Sequence, residues 1–509
     1  MKSVWTSGPS RAPAFPKLHR TVQATTRWSR SRARRDGDTD GLECDNPPLR
    51  LLHAIHDFLP RHRAGSEIYA SDLCRELASR HHVSVVCAEY DPSRRHGLVN
   101  WRVHEGLPVI EIVNNWQCAT FKDTYHPALI ENRLVHVLKA TQPDVVHVHN
   151  LLNLSFALPR MAQARHIPVV ATLHDYTLVC PSGGQRIHRA DNYVCHAIDT
   201  ERCVRCFRES PLHAQVAFAR LGGTRLPGVM RRVMAALSRR FSRLKTAVPR
   251  SIARAPVISL GKRDIEARLT DARETFHDID LFVAPSLSVA AEFRRLGIEA
   301  TKIRVSDYGF VPISPRHELR PDGAFTLRIG YVGSVVWHKG IHVLFDAVRD
   351  LPVAEYEVKI FGGLDVSPEY VRDLRARADG LPVRFMGTFD RERVADIYSQ
   401  IDVLVVPSLW LENSPLVIHE AFMAGIPVVG ARIGGIAELI ADGRTGLLYD
   451  PNSSRELSAA LQGLIEHPHR LTELSQTKCQ VKSIAQDARE WEAIYSEVIE
   501  RRAAGGYVP

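Results

Sequence analysis

The chain has 509 residues, 45% hydrophobic and 24% charged, with a formal net charge of +9 at pH 7. That length is too great for one ordinary core and predicts two or three domains at roughly 100–200 residues each. Nine cysteines are too few for a disulfide scaffold, and no run of about 18 uninterrupted apolar residues offers a transmembrane helix, so a cytoplasmic or peripheral protein with reduced thiols is expected.

Residues 1–47 carry a Ser/Arg-rich run from Arg27 to Arg35 with few apolar residues, which predicts a disordered basic tail and no secretory signal. From Arg50 onward short apolar runs alternate with helical patterns, the mark of an α/β chain with parallel sheets. Strands are expected at Leu51–Ile55, Val83–Ala88, Val109–Val113, Asp144–Val148, Val169–Leu173 and Leu281–Ala284, with helices at Glu67–Arg80 and Pro127–Ala140. His147 and His149 alternate on one strand and face the same side, as a metal pair or as a buried strand end. Asp278-Ile-Asp280 has a D-x-D form and reads as structural, introducing a strand.

Two local features interrupt this rhythm. Cys180, Cys195, Cys203 and Cys206 cluster in a polar segment, with a C-x2-C in the last pair, and fit a structural zinc site that staples a long loop, unligated thiols or a redox pair. Four sulfur ligands leave no open position, so catalytic zinc is not expected. From Ser210 to Lys262 there is no acidic residue, while Arg220 to Arg254 accumulate charge and Val229, Met230, Val233, Met234, Leu237 and Phe241 fall at helical spacing. This basic amphipathic helix suits either an anionic membrane surface or a cover over the first core.

Pro312, Pro315, Pro321 and Gly323 place an interdomain linker in Phe310–Phe325. A second series follows, with strands Leu327–Val332, Tyr356–Phe361, Val383–Met386, Val403–Val406 and Val428–Gly430. Helices are expected at Gly340–Arg349, Glu369–Ala378 and Arg391–Gln400, and in the tail at Arg455–Glu466 and Glu490–Arg502. Domains at 48–311 and 324–486 would then be two doubly wound, Rossmann-like units facing across a cleft, where ligands bind at the carboxyl ends of the strands.

The densest chemistry lies in Glu412-Asn-Ser-Pro-Leu-Val-Ile-His-Glu420, between two apolar strands. Pro415 suits the first helical position and Asn413 or Ser414 can cap it, leaving free N–H groups that attract an anion. Glu420 lies roughly 7–8 Å farther along the helix at about 1.5 Å per residue. A diphosphate at the helix mouth would leave a ribose near Glu420 and a sugar near Glu412. In Gly333-Ser-Val-Val-Trp-His-Lys339-Gly340 the glycines permit close backbone approach and Lys339 supplies a mobile positive charge, without the ending of a Walker loop.

Together with Gly434-Gly-Ile-Ala-Glu-Leu-Ile-Ala-Asp-Gly443 and Thr445-Gly-Leu-Leu-Tyr-Asp450, this segment resembles the E-x7-E signature of family 4 retaining glycosyltransferases of GT-B fold (glycosyl transferases group 1), over most of residues 50–500. The resemblance implies transfer of a sugar from a nucleoside-diphosphate sugar to a hydroxyl of a glycan, polysaccharide precursor or lipid-linked acceptor, with no cofactor for catalysis. It assigns His174, Lys339 and Glu412 to the chemistry and Gly65, Gly333, Ser334, Asn413, Ser414, Pro415, Leu416 and Glu420 to substrate binding. The ring of His174 is expected to hydrogen-bond a donor-sugar hydroxyl, and the last helix, 487–503, to cross back to the first domain. Ser334 stands where the family commonly has an arginine that shares the diphosphate charge with the lysine. The alternatives are a GT-B nucleotide-sugar epimerase and a basic nucleic-acid or membrane binder without catalysis; no base-reading module is present, so no nucleic-acid partner is expected.

Overall fold

The computed structural model of the protein describes residues 47–188, 191–222, 258–313, 325–477 and 479–504. The expected basic tail, the amphipathic run Val229–Phe241 and the Pro-rich centre of the expected linker lie outside these residues.

The first sheet has 8 strands in the order β10-β9-β6-β5-β1-β2-β4-β3. These are β1 (Arg50–Ile55), β2 (His82–Glu89), β3 (Val99–His104), β4 (Leu107–Val113), β5 (Val145–Val148), β6 (Val169–Thr172), β9 (Leu281–Ala284) and β10 (Ile303–Val305), while β7 (Ile187–His188) and β8 (Tyr193–Val194) form a small separate hairpin. All pairs in the sheet are parallel except β3 with β4. The second sheet, wholly parallel, has 6 strands in the order β13-β12-β11-β14-β15-β16. They are β11 (Leu327–Val332), β12 (Tyr356–Phe361), β13 (Val383–Gly387), β14 (Val403–Val406), β15 (Val428–Ala431) and β16 (Gly446–Tyr449).

Helices cover both faces of these sheets, so several inner strands are apolar throughout: every residue of β9, β14 and β15 is buried. Strand order reverses between β1 and β5 in the first sheet and between β11 and β14 in the second. The loops leaving those strands diverge to opposite faces and open a crevice at the carboxyl edge, where a doubly wound sheet takes its ligand.

Sequence reasoning passed over β3, β10 and β16. β3 is an edge strand with an exposed Val103, β10 has three residues, and β16 follows a glycine-rich turn, so none presents a clear buried alternation. The helix expected over Arg391–Gln400 is instead a 3-10 turn, Arg391–Arg393, leading into a short helix, Val394–Tyr398. No described helix is long and apolar enough to cross a membrane.

The chain passes between the two sheets at two places that lie side by side. Phe310 N–H donates to the Lys482 carbonyl at 2.9 Å, and Ile484 N–H to the Phe310 carbonyl at 2.8 Å. From there the helix Ile484–Ala504, starting earlier than its apolar pattern suggests, packs on the first sheet and on the helix Gly65–Leu77. Trp491 Nε1 donates to the Tyr69 hydroxyl at 3.0 Å, and that hydroxyl donates to Asp487 at 2.7 Å. Gly309 is confined by this crossing, since a Cβ there would lie 2.4 Å from Asp487 Cβ and 2.8 Å from the Ser483 carbonyl oxygen. Gly309→Ala is therefore expected to destabilise the fold by about 1–3 kcal/mol, measured by urea unfolding; an unchanged midpoint would show that the crossing is loosely packed.

Candidate active site

The site begins with one close backbone approach. After β11 the chain runs through Gly333 and an exposed Ser334 into a turn, Trp337–Lys339, and reaches Gly340 at φ 71°. A Cβ at Gly340 would sit 1.8 Å from the Pro407 carbonyl oxygen. The loops after β11 and β14 thus press together, and Lys339 Nζ meets Glu412 Oε1 at 2.5 Å. Ser408 donates to the same carboxylate oxygen at 2.6 Å, and Gly435 N–H donates to the Glu412 carbonyl at 2.9 Å. The lysine also lies over the Trp410 ring, 5.4 Å from its centroid. Glu412, Asn413 and Ser414 are all buried.

The helix carrying the second carboxylate spans Leu416–Met423. Pro415 stands at its N-cap, not at the first helical position, and neither Asn413 nor Ser414 caps it. Both side chains are used elsewhere. Ser414 Oγ hydrogen-bonds His419 Nε2 at 2.9 Å, close to Asp307 at 3.2 Å, and Asn413 Nδ2 donates across the crevice to the His174 carbonyl at 2.5 Å. Leu416 faces Gly65 at the start of the opposite helix, where a Cβ would lie 3.3 Å from Leu416 Cδ1. Glu420 accepts from the Tyr398 hydroxyl at 3.1 Å. Burial pushes its carboxyl up to about 7, although the nearby Arg391 pulls the other way. Arg391 itself reaches Asp72 of the first half at 2.5 Å.

The ring of His174 is held within the first half. Its Nδ1 meets the Tyr308 hydroxyl at 2.9 Å and its Nε2 meets His149 Nδ1 at 3.0 Å, so both nitrogens are engaged inside the first half. In this arrangement the group that His174 turns toward the second half is its carbonyl, which Asn413 meets. The line continues from His149 Nε2 to His53 Nδ1 at 3.0 Å. Burial lowers all of these imidazoles, His53 and His174 to about 3, so the line is neutral. His147 bonds Thr172 Oγ1 and the Tyr495 hydroxyl, each at 2.8 Å. Nitrogens of His53, His147 and His149 lie within 4.8 Å of one another, yet all except His53 Nε2 already have partners, which fits a buried strand face better than a metal pair.

Sequence reasoning did not anticipate Tyr308, Asp307, the Arg391–Asp72 pair or a cluster at the end of β1. There His56 Nε2 lies 3.6 Å from Glu67 and 3.9 Å from Asp57, with His62 Nδ1 3.7 Å from Asp57. These partners are far apart in the chain or lie in loops without periodicity. Only the first-turn acid Glu67 gave a signal.

Cys180, Cys195, Cys203 and Cys206 are half-buried, the last two on one helix, Thr200–Arg208. Burial first, then the other three cysteines, push the Cys203 thiol up to about 12. Their sulfurs are not among the sets of three or more ligand atoms lying within 4.8 Å of one another among the described residues. Asp278 and Asp280 pair with Arg160 and Arg502, at 3.2 and 2.8 Å, as expected of structural acids.

Comparison with known proteins accords with this geometry. Residues 63–208 match the family model described as Glycosyltransferase Family 4, and residues 326–467 the one described as Glycosyl transferases group 1. The chain belongs to glycosyltransferase family 4. It is 37% identical over 170 residues to a D-inositol 3-phosphate glycosyltransferase 2 of Catenulispora acidiphila, a stretch covering 31% of this chain and 39% of that protein. It is 28% identical over 202 residues to the sulfoquinovosyl transferase SQD2 of Arabidopsis thaliana, covering 36% and 38%. The chain thus spans about two fifths of the length of these curated relatives. Among solved structures, Anabaena Alr3699/HepE in complex with UDP and glucose is similar at a TM-score of 0.56 and 16% identity, covering 88% of this chain and 99% of that one. The catalytic domain of Arabidopsis thaliana starch synthase IV, bound to ADP and acarbose, is similar at a TM-score of 0.57 and 14% identity, covering 89% and 100%. The fold of this family 4 chain is GT-B.

A carboxyl raised to about 7 keeps its proton in the folded chain above about pH 4.5, where the unfolded chain has released it. Glu420 therefore costs stability progressively as pH rises through that window. Glu420→Gln is expected to gain on the wild type in urea midpoint between pH 5 and 7.5; a constant difference between the two would place the Glu420 pKa at its ordinary value.

Proposed function

We propose that the protein is a retaining glycosyltransferase that moves a sugar from a nucleoside-diphosphate donor to an acceptor hydroxyl. The observation that carries this reading is the convergence of Lys339 and Glu412 at the switch point of the second sheet, with Asn413 reaching the His174 carbonyl of the first. Lys339 and the amides at the start of the helix Leu416–Met423 would stabilise the departing diphosphate. Glu420 would accept from ribose hydroxyls and Glu412 from the sugar ring. The bond from the anomeric carbon to the phosphate oxygen breaks, the acceptor oxygen bonds to that carbon on the same face, and the acceptor proton passes to the leaving phosphate. No protein side chain is needed as nucleophile. His174, its ring held by Tyr308 and His149, would position its carbonyl at the crevice. The acceptor is a glycan, polysaccharide precursor or lipid-linked glycan.

A nucleotide-sugar panel tests the reading. Thermal stabilisation by one donor is expected, with free nucleoside diphosphate released only when acceptor is added; interconversion of donors without acceptor would instead make it an epimerase. Lys339→Ala is expected to lower kcat by about 10²–10³-fold, the scale of losing one preorganised stabilising group. A kcat within threefold of wild type would remove the lysine from the mechanism.

Two finer elements belong to the same proposal. A cytoplasmic location with peripheral attachment to an anionic membrane surface rests on the basic run between Arg220 and Arg254. The four cysteines would hold a structural zinc that staples the segment between β6 and β9, a reading supported by an all-thiol donor set, with the sulfurs drawing closer than they stand in this structure. Elemental analysis should then find about one zinc per chain, and chelation should lower the melting temperature; metal-free protein with an unchanged melting curve would show that the thiols stand unligated.

A further inference from the structure

Two buried polar atoms in the loop after β14 have no hydrogen-bond partner among the described residues, Trp410 Nε1 and Asn413 Oδ1. Both residues are more than nine-tenths buried, Trp410 at 9% exposure and Asn413 at 6%. They flank Glu412, one offering a donor and the other an acceptor. A buried indole N–H without an acceptor carries its full desolvation penalty, and such groups call for an explanation in the ligand when they line a site.

Trp410 is fixed by its surroundings. Its ring carries Lys339 on one face, meets the His338 ring edge-on at a centroid separation of 5.6 Å, and packs with the hydrophobic core of the first half. A residue of the second half thus closes against the first while its polar edge stays unsatisfied.

The charge balance of the crevice suggests what would satisfy it. Lys339 and Glu412 neutralise each other as they stand, and Ser334 adds no positive charge at the end of β11. A diphosphate arriving beside Lys339 draws the ammonium away from the carboxylate, and it needs further donors for its remaining oxygens. We propose that Trp410 is a donor-substrate contact, its Nε1–H donating to a phosphate oxygen of the nucleoside diphosphate while its ring holds Lys339 in reach of the same anion. This rests on the glycosyltransferase reading above and adds to it a residue and a ligand atom.

The conservative variant Trp410→Phe keeps a ring beneath Lys339 and removes only the N–H. UDP, ADP and GDP serve as probes by calorimetry on the full chain, and the tightest is carried forward. Its dissociation constant is expected to rise about tenfold or more in Trp410→Phe, the scale of a hydrogen bond to a charged group, while the unliganded melting temperature holds or rises because an unsatisfied donor has been removed. Of the seven tryptophans, the indole ¹⁵N–¹H resonance missing from the Trp410→Phe spectrum, or from that of Trp410→Tyr should the phenylalanine variant fail to fold, should shift downfield when the diphosphate binds the wild type. Affinity within twofold of wild type, or a stationary resonance, overturns the proposal and leaves the glycosyltransferase reading intact. Binding of none of the three diphosphates by the wild-type protein overturns both.

Discussion

The contact between Gly340 and the Pro407 carbonyl is the constraint on which the rest of the site depends. It brings together two loops that leave adjacent strands in opposite directions, and any side chain at 340 would force them apart. Lys339 and Glu412 form an ion pair with one partner almost wholly buried. Such a pair recovers its desolvation cost only when geometry and additional hydrogen bonds are good, and Ser408 supplies one of those bonds. In the resting molecule the pair satisfies itself. A substrate that brings two phosphates reorganises this balance without requiring a new fold.

The first half contributes mainly geometry. Its histidines run as a neutral line from His53 through His149 to His174 and Tyr308, each ring hydrogen-bonded to the next. Every imidazole needs one donor and one acceptor, so the line fixes the tautomers collectively, in one direction or the other, and with them the setting of the strand end. Asn413 reads that setting through a carbonyl. Tyr308 stands immediately before the crossing at Gly309, so the crevice wall and the crossing between halves are parts of one packed unit.

Much of the architecture was legible in the residues because buried parallel strands are rich in apolar residues: β9, β11, β12 and β14 match their expected bounds to the residue. Edge strands such as β3 lose that signal. The candidate site was partly legible as well, since Glu412 and Lys339 sit at strand-to-helix turns, and Glu420 on the helix that follows, all of which pattern alone locates. The use of individual atoms was not. Asn413 and Ser414 looked like caps, but the opposite half and His419 offered them better partners. The ring of His174 looked available until His149 and Tyr308, 25 and 134 positions away in the chain, were seen to occupy both nitrogens. Pairings of this kind have no local period and emerge only when the chain is folded.

The helix Ile484–Ala504 caps the sheet that is assembled from the beginning of the described chain. The first lobe is thus encoded in two separated segments, and its surface around Tyr69 and His147 stays uncovered until ribosomal synthesis has nearly reached the end of that helix. A frameshift late in the coding region would injure the lobe made earliest, and anyone wishing to produce that lobe in isolation must graft the terminal helix onto it.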